Sequence, residues 1–195
     1  MEALRQNEWP RMTLDEFERW EGGEPDGKYE LVDGIVVIKR DSMSPESLRH
    51  NRYKASAFDA LRGGLRASGL PCEAFIDGPM VKTGMASARQ PDAIVQCSEW
   101  DDDSIYLDEP IITVEIISPS GRLRDTSQKL GEYFELPSVL HYLIVDPNAE
   151  RLIWHRRTDE GAIITQIAKN GTITLDVSGF TIDVDAMLSP RDSKR

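Results

Sequence analysis

Glu115 stands inside the run IITVEII, residues 111–117, where every other residue is apolar or β-branched. Such a run reads as a central strand buried on both faces. A carboxylate buried there is costly unless a cation, a set of donors or a raised pKa compensates it. Asp92 is a second case. Pro91 precedes it and Ala93, Ile94 and Val95 follow, which places it at the start of another buried strand. Two carboxylates on neighbouring strands can hold one hard cation such as Mg2+, with water filling the remaining positions. Taken singly, each has a plainer reading, in which Asp92 caps a turn and Glu115 pairs with an arginine.

The segment DTSQKLGEYFEL adds a third part. Asp125, Lys129 and Tyr133 fall at i, i+4 and i+8 and so share one face of a predicted helix. Leu130, Phe134 and Leu136 occupy another. Lys129 can then lean over the end of the central strand. By itself the Asp125–Lys129 spacing also fits an exposed ion pair worth only a few tenths of a kcal/mol, about 0.3. Glu30 lies between Tyr29 and Leu31 in a predicted hairpin, and strand alternation puts it on the face opposite those two. His50 falls in the first turns of a long predicted helix. Alone, each is more often a satisfied polar residue than a ligand. His141, at the start of a strand, and His155, in a predicted surface hairpin, are weaker cases. No HExxH, P-loop glycine pattern or GxSxG occurs, which removes several enzyme classes.

The elements that must position these side chains are legible in outline. Thr13 and Glu16 form a capping-box pattern opening a short helix to about Glu21. YELVDGIVVIKR reads as a hairpin turning at Asp33-Gly34. Ser44-Pro45-Glu46 reads as the start of a long helix to about Ser68, stopped by Gly69 and weakened in its middle by Gly63-Gly64. CEAFID, PMVKT, DAIVQC and IITVEII are strand candidates, followed by a helix over about 125–135 and the buried strand HYLIVD, ended by Pro147. RLIWHRR, AIITQIA and TITLDV read as successive antiparallel strands turning at Asp159-Glu160-Gly161 and Asn170-Gly171. Asp183 to Leu188 make a last helical turn, and residues 189–195 a frayed tail. The expectation is one mixed α/β domain over residues 1–195.

Composition narrows the class. With 39% hydrophobic and 29% charged residues, the 195-residue chain fits a globular domain with a sizeable core. No stretch approaches the roughly 20 apolar residues of a membrane helix, and no apolar signal segment opens the chain, so the expected place is the cytoplasm, with no membrane partner. Two cysteines, Cys72 and Cys97, make a disulfide framework unexpected and a four-cysteine zinc site impossible. The net charge of −11 argues against coating nucleic acid through bulk electrostatics. The acids crowd residues 99–109, whereas 45–66 carries Arg49, Arg52, Lys54, Arg62 and Arg66 against Glu46 and Asp59, so a DNA-facing surface, if there is one, would include that stretch.

Taken in order, YELVDG, SPES..H, PDAIV, VEIISPS, D...K...Y and HYLIVDP resemble the Uma-type family of endonucleases, a branch of the PD-(D/E)XK superfamily. The resemblance spans about residues 12–188. It implies a restriction-endonuclease-like core, a central mixed sheet flanked by helices. It implies metal ligation by Asp92, Glu115 and the backbone carbonyl of Ile116, with Mg2+ as the cofactor and Mn2+ as an alternative. The superfamily lysine normally sits two residues after the second acid. Ile117 stands there in this chain, and the resemblance transfers the role to Lys129 on the following helix. Glu30 and His50 match further polar positions, and Asp125 and Tyr133 are implied as supports.

The implied reaction is hydrolysis of a DNA phosphodiester by metal-activated water, with Lys129 orienting the water or stabilising charge on the phosphate. Glu30 would serve a second metal or its water shell, and His50 would contact phosphate or carry a proton. A homodimer is expected by analogy, with RLIWHRR and AIITQIA as its surface and Trp154 as its anchor. Two other readings compete. One is a nuclease fold that no longer cuts and serves in binding or assembly. The other is a metal-dependent hydrolase of a different substrate.

Overall fold

The computed structural model describes residues 9–22, 27–39, 47–117, 123–175 and 179–190, with only the backbone at 123–125. Thr13 caps α1 (Leu14–Glu18) through the expected reciprocal bonds with Glu16, and Phe17 is the residue α1 buries. α1 stops at Glu18, short of the expected Glu21. β1 (Tyr29–Val32) and β2 (Ile35–Ile38) form the expected hairpin. Its turn places Asp33 and Gly34 at φ of 49° and 77°, the left-handed pair that a tight hairpin requires.

α2 (Leu48–Ser68) is capped by Ser47 and ends at Gly69, whose φ is 67°. The start is later than expected, and Ser44-Pro45-Glu46 lie outside the described residues. The helix runs unbroken through Gly63-Gly64. Gly64 has a packing reason: a Cβ there would overlap the Phe180 ring and the Thr181 carbonyl oxygen. The gain of about 1 kcal/mol that Gly→Ala gives in an open helix is therefore reversed here.

The main sheet has six strands, ordered β10-β9-β8-β7-β6-β3. These are β3 (Glu73–Ile76), β6 (Ala93–Gln96), β7 (Pro110–Ile116), β8 (His141–Asp146), β9 (Arg151–Arg157) and β10 (Ile163–Ala168). β7 pairs antiparallel with β6 and parallel with β8, so the sheet is mixed. The parallel pair is bridged by α3 (Leu123–Glu135), because parallel neighbours need a crossover. Tyr53, Ala57, Leu61 and Leu65 of α2 bury one sheet face with Val95, Ile112, Val114 and Val145. Tyr133 of α3, with Leu130 and Phe134 beside it, covers Ile94, Tyr142 and Ile144 on the other. Both faces of β7 are thus covered, as its apolar sequence predicts.

A second, four-stranded sheet has the order β2-β1-β5-β4, with β4 (Val81–Gly84) and β5 (Ser87–Arg89). β5 is too short to show a period and was not expected from sequence. Gln90 and Pro91 carry the chain from β5 into β6, so Asp92 sits where the two sheets meet.

Three further expectations are corrected. The TITLDV segment does not extend the β9–β10 meander. β11 (Thr172–Thr174) pairs instead with β12 (Thr181–Asp183), just before α4 (Val184–Leu188). Cys72 and Cys97 are joined by a disulfide, since the Glu73↔Gln96 pairing of β3 with β6 makes them cross-strand neighbours. Trp154 is buried in the core and donates its indole N–H to His141 Nδ1 at 3.1 Å, so it cannot anchor an interface. No helix among the described residues is long and apolar enough to cross a membrane.

Candidate active site

β6 begins at the end of the sheet where β7 and β8 finish. The register Ala93↔Val114 brings Asp92 beside Glu115 there. Both side chains are buried. Asp92 accepts the Ile116 backbone N–H on Oδ2 at 2.8 Å, and its own N–H donates to the Val114 carbonyl at 2.9 Å. The first bond locks the carboxylate across the strand end. Its other oxygen, Oδ1, receives the Lys39 ammonium at 3.1 Å, with Lys54 Nζ at 3.8 Å. His50 Nε2 stands 3.8 Å from Oδ2.

Glu115 is met from the opposite face of the sheet. Lys129 Nζ and Tyr133 Oη both donate to its Oε1 at 2.9 Å. The shared helix face of Lys129 and Tyr133 is therefore real, and it lies over the end of the central strand. The exposed-pair reading of Lys129 fails, because that side chain is buried. The Asp125 side chain lies outside the described residues. Ile117, at the usual lysine position, packs against the apolar cluster under α3.

Glu30 also arrives as alternation predicts, pointing away from the Leu31 cluster. Its carboxylate accepts from Arg89 Nη1 at 2.9 Å and from the Gln90 N–H at 3.1 Å, and lies 3.3 Å from Lys129 Nζ. Lys129 thus bridges Glu30 and Glu115. Arg89 in turn holds Glu132, one turn along α3 from Lys129.

Sequence reasoning missed Lys39, Arg89 and Glu132, and placed Lys54 on an outward surface. Signals existed for two of these. The hairpin register pairs Glu30 with Val37, and Lys39 follows two residues later on the same face. Lys54 is i+4 from His50 and heads the inward stripe that continues through Ala57, Leu61 and Leu65. Nothing local marks Arg89. The basic stretch is also not one open face. Lys54 is buried, Arg49 bonds the Pro147 carbonyl at 2.8 Å, and Arg52 bonds the Pro190 carbonyl at 3.1 Å.

The two central acids are driven apart electrostatically. Burial works to raise the Asp92 pKa, but Lys39, Lys54, the Ile116 N–H and His50 outweigh it and hold the group at about 2. Burial raises Glu115, with Asp92 and Glu30 adding to the rise, and Lys129 and Lys39 fail to cancel it. Burial would raise Glu30 too, yet Lys129, Arg89 and Lys39 bring it below its usual value. Paired carboxylates with opposed shifts are a mark of functional sites.

The donor set suits a hard divalent cation. Asp92 and Glu115 offer carboxylate oxygens from adjacent strands, and such cations accept waters for the rest of the shell. Among the described residues no three acid, histidine or cysteine side chains gather as a ready-made chelate. A cation here would rest on these two acids with backbone oxygen and water. In the structure, ammonium groups of Lys39, Lys54 and Lys129 stand against these two acids.

The Uma2 family, described as "Putative restriction endonuclease", matches residues 14–185. An uncharacterized protein of Synechocystis sp., slr1290, is 23% identical over 184 residues, covering 92% of each chain. A crystal structure from Anabaena variabilis, described as a putative nuclease belonging to DUF820, superposes with a TM-score of 0.70 at 15% identity. That match covers 91% of this chain and 97% of the other. The mixed sheet flanked by helices is thus a restriction-endonuclease-like core, and the chain belongs to the Uma2 family.

Proposed function

We propose that this protein is a metal-dependent endonuclease that hydrolyses DNA phosphodiesters. The observation that carries the reading is the pair Asp92 and Glu115, buried on adjacent strands with opposed pKa shifts and a lysine on each. Asp92, Glu115 and the Ile116 carbonyl would hold Mg2+ or Mn2+. When bound, the cation supplies a water of lowered pKa and positive charge beside the scissile phosphate.

The chain's own groups supply the rest. Ile116 N–H keeps Asp92 oriented. Tyr133 fixes one oxygen of Glu115. Lys129, bridging Glu115 and Glu30, is placed to orient the attacking water or to offset charge on the phosphate oxygens. Arg89 and Glu132 brace that lysine through Glu30 and through α3. His50, at the α2 end of the site, is suited to contact phosphate.

The test is incubation of the purified protein with supercoiled plasmid, single-stranded DNA and RNA, with Mg2+, Mn2+ or chelator. Cleavage of DNA that chelator abolishes is expected. Binding of nucleic acid without cleavage under any metal would favour the non-cutting module, a reading supported by the ammonium groups already paired with both acids.

The dimer expectation also stands as a proposal. β10 is an edge strand with Ile163, Ile164 and Ile167 exposed and no charged side chain. A second copy pairing along that edge would cover it. Sedimentation of the wild type should give a dimer mass, and Ile167→Lys a monomer; a monomeric wild type removes the proposal.

A further inference from the structure

Asp92 has two oxygens, and they are not equivalent. Oδ2 is committed to the Ile116 N–H at 2.8 Å inside the strand end. Oδ1 is the oxygen left for a cation, and Lys39 stands on it at 3.1 Å. The ammonium is set there by more than its own flexibility. The Lys39 backbone N–H bonds the Lys28 carbonyl at 2.9 Å, which extends the hairpin by one pair. Nζ also bonds the Gln90 carbonyl at 2.6 Å. The side chain is only 9% exposed.

A divalent cation on Oδ1 would lie within a few ångström of this ammonium. Away from bulk water, such repulsion is far stronger than at a surface. The wider charge balance points the same way. Among the described residues, the carboxylates Glu30, Asp77, Asp92, Glu115 and Glu132 are met by Lys28, Lys39, Lys54, Arg89 and Lys129. A cation that enters without a departure adds positive charge beside ammonium groups already seated on these acids. Lys54 is the poorer candidate to leave, because Asp77 holds it at 3.3 Å and it is farther from Asp92.

We propose that Lys39 is a built-in competitor for the divalent cation: its ammonium neutralises Asp92 in the metal-free protein and is displaced from Oδ1 when the cation binds. The inference rests on the metal-site reading above and adds a determinant of metal affinity outside the acids themselves. The cost of the arrangement is weak metal binding. Its benefit is that Asp92 is never a buried, uncompensated charge while the metal is absent.

The test is calorimetric titration of Mn2+ and Mg2+ into wild type, Lys39→Met, Lys39→Arg and Lys28→Met, with thermal unfolding of each. Lys39→Met should bind either ion about tenfold more tightly or better, since metal no longer works against the ammonium. Its metal-free Tm should fall, and Mn2+ should raise that Tm by more than it raises the wild type's. Lys39→Arg, which keeps the charge, should bind no more tightly than wild type. Lys28→Met removes a charge held on Asp77 and should change affinity by less than about twofold.

Equal affinity in Lys39→Met and wild type would overturn the inference while leaving the metal site standing. So would equal tightening in Lys28→Met, which would trace the effect to net charge. Absence of binding in wild type and Lys39→Met alike, with DNA present as well, would remove the metal site and the inference with it. Should Lys39→Met fold only with Mn2+ present, its affinity is read by chelator competition, and the same ranking is required.

Discussion

Asp92→Asn is expected to lower metal-dependent DNA cleavage about 1,000-fold or more, equivalent to about 4 kcal/mol of transition-state stabilisation. Asparagine keeps an oxygen for the Ile116 N–H but loses the charge that holds a cation. Plasmid nicking rates under saturating DNA measure this, and a variant within tenfold of wild type would remove Asp92 from the reaction. Asp92→Ala is a harsher change than its small size suggests. It leaves the Ile116 donor, the largely covered Lys39 and the buried Lys54 without this carboxylate. Removing one partner of a buried ion pair costs about 3–5 kcal/mol, a Tm loss of roughly 10 °C in a chain of this length. The crowd of donors on Asp92 thus makes alanine a change in stability as well as in the site.

The pH dependence of the same pair of proteins carries a sign. Asp92 titrates at about 2 in the folded chain against 3.8 for the free side chain. A depressed carboxylate contributes stability that is fully present above its unfolded value and is lost as pH falls through the folded one. The stability gap between metal-free wild type and Asp92→Asn should therefore narrow as pH drops from about 4 towards 2. Urea unfolding at stepped pH reads it.

Lys129→Met should slow cleavage about 100-fold while leaving metal affinity less affected than Asp92→Asn does. The lysine is shared by Glu115 at 2.9 Å and Glu30 at 3.3 Å, so its loss strips two buried carboxylates at once. Glu115 is already raised by burial, with Lys129 the largest force opposing that rise. Without Lys129 it rises further. A raised carboxylate has the opposite linkage to Asp92: its protonated form is favoured on folding, and that contribution is lost as pH increases through the folded pKa. Lys129→Met should thus be destabilised more as pH rises, in the absence of metal. A deficit that does not change with pH would show that Glu115 and Lys129 are uncoupled. Lys129→Arg should not restore the rate, because a planar guanidinium cannot occupy a buried ammonium position without repacking.

The main acids were legible because burial is written locally. An acid inside IITVEII and an acid opening DAIV are anomalous in any fold, and the anomaly needs no partner to be seen. The hairpin at Asp33-Gly34, the capping box at Thr13 and the stop at Gly69 are local too, each a matter of left-handed φ or of one side chain reaching three residues on. The helix period set Lys129 and Tyr133 on one face, and the family resemblance suggested the role proposed for Lys129. Short strands were a different matter. β5 and β12 have three residues each, too few for a period to emerge from composition.

What the chain order could not reveal is which distant groups share a space. Arg89 meets Glu30 across 59 residues and Lys39 meets Asp92 across 53, whereas Lys129 reaches Glu115 across only 14. The first two contacts exist because β1 pairs with β5 and because Gln90-Pro91 steps from one sheet to the other. No residue type near Arg89 encodes that pairing. Trp154 and the cysteines carry the same lesson. An apolar or thiol side chain has no preferred neighbour until β9 is placed beside β8 and β3 beside β6. The sequence by itself determined where the two central acids would be buried and which local turns and helices would flank them. Only the tertiary structure decided which counter-charge each acid receives, since that choice depends on long-range strand pairing, which is set by the packing of whole faces and not by any local preference.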